Sequence, residues 1–378
     1  MGNVPNLRFP EFSGEWKKFS IEKLCDEFKS GKNIKADNIL VDGAYPVYGG
    51  NGLRGFTDSY NHDGDYVLIG RQGALCGNVR FVTGKTHITE HAIAVQANKN
   101  NNTRFLEYLF VRLNLGQFSD QSAQPGLAVN KLLRIETFVP TVSEQKRIVQ
   151  LLQVIDERIA TQTKIIEKLQ SLISGLNDFI HLQVGGLSTS FEELGTSYSG
   201  LSGKSGDDFG KGKPYITYLN IYSNSIVNEE QVDYVVIGDN EKQNTLLYGD
   251  LLFTLSSETP DEVGIGAVYL GESDKYYLNS FCFGLHMTAT NKVYSPYLAY
   301  LVSNNVFRKF IYPLAQGSTR FNLQKNDFMK KKFLLPTFES QKEIARTLNA
   351  LSSKLETERK LLLNYQEQKQ YLLGSMFI

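Results

Sequence analysis

Apolar side chains recur with a seven-residue spacing in one long stretch of the chain, from Ser143 to Ile180. Within it, steps of four and three residues alternate and meet an apolar side chain almost every time. This spacing keeps one helix face apolar along its whole length and is typical of a coiled-coil seam. The pattern therefore predicts a long helix over Ser143–Ile180. Its central seam positions are Ile148, Leu152, Ile155, Ile159, Gln162, Ile166 and Leu169.

The same pattern returns 196 residues later, where Gln145-Lys146 reappears as Gln341-Lys342. The match extends upstream, because Val139-Pro140-Thr141 aligns with Leu335-Pro336-Thr337. A repeat of this length predicts two copies of one supersecondary unit, since solenoid repeats are much shorter. We expect the two helices to pack on each other. The second seam runs through Ile344, Leu348, Leu351, Leu355, Glu358 and Leu362.

Each seam carries one polar residue at the same step, Gln162 in the first copy and Glu358 in the second. A buried polar residue in a seam costs stability but fixes the register of the paired helices. The alternative is that the helices splay at this point and both side chains are solvated.

The segments outside the long helices read as strands, tight turns and one shorter helix each. Alternating apolar runs bounded by Gly, Asn and Asp predict the strands, and a helical stripe predicts each shorter helix. The predicted strands are Tyr45–Tyr48, Asp65–Ile69, Gly77–Val82 and Ala92–Gln96, then Tyr215–Ile221, Val232–Ile237, Asp250–Leu255, Ala267–Leu270 and Phe281–Met287. The predicted shorter helices are Arg104–Asn114 and Pro296–Ile311.

These elements predict a mixed α/β (α+β) protein with an internal pseudo-repeat, in which two globular domains are joined by two long helices. The expected boundaries are 1–140 for the first globular domain, 141–182 for the central helix, 183–336 for the second globular domain and 337–378 for the C-terminal helix. The globular segments differ more in sequence than the helices do. One scaffold is therefore expected to carry two different binding modules.

Charge and cysteine content narrow the function classes. Forty Lys and Arg residues balance 40 Asp and Glu residues, so the chain is a poor autonomous, non-specific binder of nucleic acid. DNA binding would need local basic patches or a partner subunit. Three widely spaced cysteines exclude a disulfide framework and fit a reducing compartment. With no signal peptide and no apolar run long enough to cross a bilayer, we expect a soluble cytoplasmic protein.

Several strings imitate catalytic or metal-binding motifs. Gly50-x-Gly52-x-x-Gly55 matches a dinucleotide fingerprint as text, but the following residues start a helix poorly, which favours turn glycines. His87-x-x-Glu90-His91 matches a zinc-protease string whose histidines must share a helix face, yet its flanks are strand-like. An enzyme built on that string is the weakest of three interpretations. We predict no catalytic residues and no metal site in this chain.

Polar, aromatic and basic side chains are concentrated in loops of both globular segments. Arg and Gln can form the paired hydrogen bonds that read base edges, while Lys, Ser and Thr suit phosphates. Taken singly, such residues are more often ordinary solvated surface. As candidate DNA contacts we select Arg54, Arg71, Gln72, Asn78, Arg80, Lys85 and Gln124 in the first segment, and Lys204, Lys213, Tyr215, Thr217, Ser256, Ser257, Thr259 and Arg320 in the second.

Several strings together resemble the specificity subunits of type I restriction-modification systems over almost the whole chain. They are the opening LRFPEFSGEWKK, the blocks YPVYGGNGLRG, DGDYVLIGRQGALCGNV and TEHAIAV, and the later blocks YITYLNIYSN, GDLLFTLSSETPDEVG and YLNSFCFG. The paired long helices complete the resemblance. It places Arg71 and Gln72, in the GRQGALCG loop, first among the candidate DNA contacts.

This resemblance implies two target recognition domains, each reading one half of a bipartite site on double-stranded DNA. It implies two antiparallel helices that set the spacer and dock two methyltransferase (M) subunits. S-adenosylmethionine, ATP and Mg would be held by those subunits and by restriction/translocase (R) subunits, with no cofactor on this chain. The partner subunits would then catalyse adenine methylation and ATP-dependent cleavage. The competing interpretation is a two-module interaction protein on a coiled-coil spacer without a DNA role.

Overall fold

The structure, a computed structural model, describes residues 3–73, 75–119 and 126–378. It divides into two compact units, of which the first is built from two separate stretches of chain and the second from one. Unit 1 comprises Met1–Thr163 and Lys360–Ile378, and unit 2 comprises Lys164–Arg359. The boundary between the units therefore falls inside both long helices.

Unit 1 contains a four-stranded antiparallel sheet and a three-stranded mixed sheet. Its strands are β1 (Lys17–Ser20), β2 (Cys25–Ser30), β3 (Tyr45–Gly49), β4 (Gly52–Thr57), β5 (Tyr66–Gly70), β6 (Val79–Val82), β7 (His87–Ile88), β8 (Ala92–Ala97) and β9 (Glu136–Val139). Its helices are α1 (Thr103–Leu113), α2 (Val129–Leu133), the first part of α3 (Val142–Gln183) and the last part of the C-terminal helix Phe338–Ser375. The sheet orders are β2-β8-β5-β6 and β4-β3-β7, and β1 pairs with β9.

Burial explains why β5 and β8 are almost continuously apolar. Val67, Ile69, Ile93 and Val95 join a core that also contains Phe105 of α1. The other face of the same strands belongs to a second cluster, so the centre of this sheet is covered on both sides. Helix α1 lies at its predicted position.

Unit 2 repeats this plan strand for strand. Its strands are β10 (Leu187–Thr189), β11 (Gly195–Ser199), β12 (Phe209–Ile216), β13 (Val232–Val235), β14 (Leu251–Thr254), β15 (Ser256–Ser257), β16 (Gly266–Val268), β17 (Tyr277–Leu278), β18 (Cys282–Met287), β19 (Ala315–Gln316), β20 (Phe321–Leu323) and β21 (Phe333–Leu335). Its helices are the last part of α3, then α4 (Phe191–Leu194), α5 (Tyr218–Ser223), α6 (Ser295–Ser303), α7 (Asn305–Ile311), α8 (Lys325–Lys330) and the first part of α9 (Phe338–Ser375).

The repeated sheet orders are β11-β18-β14-β16 and β13-β12-β17, and β10 pairs with β21. Even the parallel pairing of β3 with β7 recurs, between β12 and β17. The predicted internal repeat is thus a repeat of fold. A further sheet, β15-β20-β19, is formed in unit 2.

One predicted helix is two helices in the structure. The apolar stripe of Pro296–Ile311 was expected to run on without a break, but Asn304 separates α6 from α7. The buried Asn304 amide donates to the carbonyls of Tyr300 and Leu301, and its side-chain oxygen accepts from the N–H of Phe307. One side chain therefore closes the first helix and caps the second.

The long helices pack antiparallel, as the order of contacts within each unit shows. In unit 1, Ile148 shares a core with Met376, and Asp156 pairs with Lys369 at 2.6 Å. In unit 2, Ile180 lies against the core that contains Ile344. The start of one helix therefore lies beside the end of the other in both units.

Every one of the predicted seam side chains is buried or half-buried. The two polar seam residues are buried as well, with Gln162 5% exposed and Glu358 7% exposed. The alternative in which both positions are solvated is therefore wrong. Among the described helices, none combines the length and the apolar character that a membrane span requires.

Candidate nucleic-acid interface

Each unit has a loop at the equivalent position, where an inner strand of its four-stranded sheet ends. In unit 1, Arg71 follows β5 and its carbonyl accepts from the N–H of Leu127 at 2.9 Å. In unit 2, Leu255 follows β14 and accepts from Leu323 at 2.8 Å in the same way. The segment that precedes each long helix is thereby fixed beside the end of a buried strand. Gln124, in the first of these segments, lies outside the described residues.

The β3–β4 hairpin of unit 1 packs closely against the end of β5. A Cβ atom on Gly50 would lie 2.7 Å from the carbonyl oxygen of His91 and 3.6 Å from the nitrogen of Arg71. Gly52 has a φ of +108°, and a Cβ atom there would lie 3.1 Å from the Arg80 guanidinium. These glycines serve a tight turn and close backbone approach, as the sequence favoured over a dinucleotide fingerprint.

This hairpin brings four of the candidate DNA contacts into one neighbourhood. The side chain of Arg54 lies against Gly49 of the turn, and Arg80 lies against Gly52. Arg71 and Gln72 follow the adjacent strand, where Arg71 donates to Ser30 Oγ at 3.1 Å. We name Arg54, Arg71, Gln72 and Arg80 the arginine cluster.

The arginine cluster carries positive charge that the described residues do not neutralise. Arg54 and Arg80 are exposed, and among the described residues neither side chain has a hydrogen-bond or ion-pair partner. Gln72 is exposed and its Oε1 lies 3.2 Å from Nδ1 of His91. Such a surface suits phosphates and base-edge acceptors.

Two further candidates of unit 1 lie close by in the chain but in different settings. Asn78 is exposed, and its carbonyl accepts from the N–H of Gly70, which closes the loop after β5. The ammonium group of Lys85 lies 4.8 Å from the centre of the Tyr60 ring. No described contact joins Lys85 to the arginine cluster.

Unit 2 has a cavity of about 480 Å³ at the corresponding loop. Helix α5, the loop after β14, the residue before β18 and the β19–β20 hairpin enclose it. We name it the reader cavity, lined by Tyr218, Leu219, Tyr222, Ser256, Ser257, Glu258, Glu262, Phe281, Thr319 and Arg320.

Hydrogen bonds hold one wall of the reader cavity in place. Tyr218 and Tyr222 stack one turn apart on α5, with ring centres 6.1 Å apart. The Tyr218 hydroxyl donates to the carbonyl of Ser256, and the Tyr222 hydroxyl donates to Glu262 at 2.6 Å. Ser257 also donates to Glu262, and these hydrogen bonds, that of Tyr222 foremost, lower the pKa of the Glu262 carboxyl.

The candidate residues of unit 2 fall into buried and accessible groups. Tyr215, Ser256 and Ser257 are each less than 9% exposed. The side chain of Thr217 caps α5 by accepting from the N–H of Asn220. Their side chains are therefore engaged in the fold.

Lys204 is occupied by partners of its own unit. Its ammonium group donates to the carbonyl of Val236 and pairs with Glu241, and this hydrogen bond lowers the pKa of the Glu241 carboxyl to about 2. By contrast, Lys213, Thr259 and Arg320 are exposed. The Arg320 guanidinium lies 5.4 Å from the centre of the Phe281 ring.

Our residue selection missed several side chains that line the reader cavity, among them Leu219, Tyr222 and Phe281. Leu219 is 69% exposed and Phe281 is 54% exposed, while Tyr222 forms the outer half of the tyrosine stack. The signal for Tyr222 was its spacing of four from Tyr218, the spacing of helical neighbours. Phe281 was hidden because we placed it inside a strand that begins only at Cys282.

The metal-like string of unit 1 is not helical. His87 lies in the short strand β7 and His91 lies in a turn, so the two imidazoles do not share a helix face. Across the described part of the chain, no three His, Cys, Asp or Glu side chains are grouped as a metal site would require.

Known proteins with similar sequences are restriction-modification subunits. The type I restriction enzyme EcoprrI specificity subunit of Escherichia coli is 37% identical over 163 residues, which are 42% of this chain and 40% of that protein. The alignments with this and two further specificity subunits span from 36% to 47% of those relatives' lengths.

Two solved structures share the fold. The S subunit of a type I restriction-modification system from M. genitalium superposes with a TM-score of 0.61 at 18% identity, covering 99% of both chains. A chain from a study of complex assembly and conformational transition in a type I system gives a TM-score of 0.59 at 13% identity, covering 96% of this chain and 97% of that one.

The family model described as the type I restriction modification DNA specificity domain matches this chain twice, over residues 13–171 and 195–365. Each match begins in one unit's sheet region and ends in a long helix, so the two matches follow the structural repeat. Together they span most of the 378 residues. The chain belongs to the family of type I restriction-modification DNA specificity subunits.

Proposed function

We propose that this chain reads a two-part DNA site for a type I restriction-modification complex, with one half-site read by each unit. One observation carries the proposal: the two units share a fold and differ where a reader should differ. The connection between β3 and β4 is residues 50–51, whereas the connection between the equivalent strands β12 and β13 is residues 217–231 and contains α5. Equivalent sheets thus carry unlike loops.

Unlike loops imply unlike half-sites. Arginines surround the hairpin turn of unit 1, whereas an aromatic wall and two carboxylates line the reader cavity of unit 2. Base edges in the major groove are distinguished by their donors and acceptors, so these surfaces favour different bases. The proposed target is therefore asymmetric. Its expected contacts are the arginine cluster, Asn78 and Lys85 in unit 1, and Lys213, Thr259 and Arg320 in unit 2.

The paired long helices set the spacer between the half-sites in this proposal. Because an α-helix rises about 1.5 Å per residue, the number of residues in the helices fixes the length of the spacer. Their outward faces carry the docking surfaces for two methyltransferase subunits. Those partners supply the adenine methylation with S-adenosylmethionine, and restriction subunits supply cleavage with ATP and Mg.

The chain itself acts as a reader without catalysis of its own. Equal numbers of acidic and basic residues make strong binding to DNA depend on local patches and on the partners. DNA binding should therefore be measured with the purified, assembled complex, because the partner subunits contribute to affinity.

Adenine-methylation sequencing of the host genome, with and without the gene for this chain, tests the proposal. We expect one bipartite, asymmetric motif to lose methylation in both halves when the gene is deleted. A palindromic motif would contradict the assignment of different half-sites to the two units. Chain-dependent co-purification of proteins other than a methyltransferase, with an unchanged methylome, would favour the two-module interaction protein instead.

A further inference from the structure

The reader cavity holds two opposite charges that remain unpaired. Glu258 and Arg320 both line it, and both are exposed. Across the described residues, neither forms an ion pair or a hydrogen bond with another side chain, although their charges are complementary. Each is therefore available to a group that enters the cavity.

A free carboxylate is unexpected on a surface that approaches DNA, because the phosphates repel it. Carboxylates on such surfaces are useful where they accept a hydrogen bond from a base. In the major groove, the amino group on N4 of cytosine and that on N6 of adenine are the donors, and Glu and Asp characteristically accept from cytosine. Glu258 has the chemistry of a cytosine reader.

The second carboxylate of the cavity does not compete for this role. Glu262 already accepts from the hydroxyls of Tyr222 and Ser257, one on each carboxylate oxygen, so both of its oxygens are held in the wall. The residue before Glu258 is fixed, because Ser257 pairs with Phe321 in a β-ladder. Glu258 thus projects from a rigid support.

Arg320 offers the complementary chemistry beside Glu258, because it directly precedes Phe321, the ladder partner of Ser257. Its guanidinium lies over the Phe281 ring, which orients it while leaving its N–H groups free. Guanine presents two acceptors, N7 and O6, to the paired donors of an arginine. One C·G pair presents the cytosine donor and the guanine acceptors side by side.

We propose that the reader cavity of unit 2 recognises one C·G base pair, with Glu258 accepting from cytosine N4 and Arg320 donating to guanine N7 and O6. This proposal rests on the proposed function and adds to it the identity of one base pair in one half-site. It also makes both residues specificity-determining for the same position.

The test is adenine-methylation sequencing of host strains that carry the wild-type chain, Glu258→Ala, Arg320→Ala or the matched control Glu272→Ala. Glu272 is an exposed glutamate of unit 2 outside the cavity lining. We expect both cavity variants to relax the same C·G position in one half-site, with discrimination there reduced about tenfold. The other half-site, the spacer and the control should be unchanged.

Four results would overturn the proposal while leaving the proposed function intact. They are an unchanged motif in both cavity variants, relaxation at an A·T pair, relaxation at different positions in the two variants, and complete loss of methylation in Glu258→Ala. The last would mean that Glu258 supports the fold or assembly, since loss of one base contact relaxes recognition. Absence of any chain-dependent methylation in the wild type would instead contradict the proposed function.

Discussion

The glutamine of the repeated Gln-Lys pair, at the start of each long helix, has a structural role that can be tested by one substitution. Gln145 is fully buried, and its side-chain oxygen accepts from the N–H of Asn102 at 2.9 Å. Its amide group donates to Asn101 and to the carbonyl of Pro140. Because Asn102 caps α1, Gln145 ties the first turn of α3 to the start of α1.

The same arrangement recurs in unit 2. Gln341 is fully buried, accepts from the N–H of Tyr294 at 2.8 Å and donates to the carbonyls of Lys292 and Pro336. Tyr294 precedes α6 just as Asn102 precedes α1. The bonds to the backbone N–H before the shorter helix and to the proline carbonyl recur in both units, which explains why this residue is repeated in the sequence.

Replacing Gln145 with leucine should strongly destabilise unit 1. The change leaves the N–H of Asn102 and the buried carbonyl of Pro140 without partners, and each unsatisfied group costs about 1–3 kcal/mol. We expect a loss of about 3 kcal/mol in the free energy of unfolding. For a unit of this size that corresponds to a fall in Tm of about 9 °C.

Urea unfolding followed by tryptophan fluorescence measures this effect directly. Trp16 is the only tryptophan, is 2% exposed and belongs to unit 1, so its emission reports the unfolding of that unit. Lys146→Met is the control, because Lys146 is adjacent but exposed. A loss below about 1 kcal/mol for Gln145→Leu, or an equal loss in the control, would refute the reasoning.

Three further predictions concern pH, phosphate contact and spacing. Burial lowers the pKa of His181 below its ordinary 6.5, so the unfolded chain binds the proton more tightly than the folded chain does. The free energy of unfolding of unit 2 should therefore fall as the pH drops below about 6.5. In urea titrations, His181→Phe should make this free energy depend less on pH. Arg80→Gln should reduce the salt slope of DNA binding by the assembled complex by about 1, which corresponds to one lost phosphate contact. Lys204→Gln should leave this slope unchanged, because Lys204 is already paired. Equal effects of the two variants would count against the assignment of Arg80 to a phosphate. Deleting one heptad from both α3 and α9 should shorten the spacer of the methylation motif by about 10 Å, or about three base pairs, and leave the half-sites unchanged. An altered half-site would contradict the spacer model.

The long helices were predictable because burial imposes a period on the sequence. The seam positions from Ile148 to Leu169 are spaced by the geometry of one helix face, and they are the positions that the structure covers. The repeat was visible for a related reason: residues such as Gln145 make the same contacts in both units. Helix α1 was predictable from its own apolar stripe.

The loop chemistry was less accessible because its partners are distant in sequence. Lys204 resembled a free cation, yet it pairs with Glu241, 37 residues away. The predicted strand Tyr215–Ile221 is wrong beyond Ile216, because Tyr215 lies at the buried end of β12 and α5 begins at Tyr218. The break at Asn304 depends on one side chain that serves two helix ends, which an apolar stripe does not reveal. Helix α5 is too short to show a period.

The central claim is that each unit reads its own half-site, and reciprocal variants test it most directly. Adenine-methylation sequencing would compare the wild type with Arg71→Gln in unit 1 and with Arg320→Gln in unit 2. The account predicts that each variant alters one half of the motif, that the two variants alter opposite halves, and that the spacer is unchanged. Both variants altering the same half, or either variant altering both halves, would contradict it.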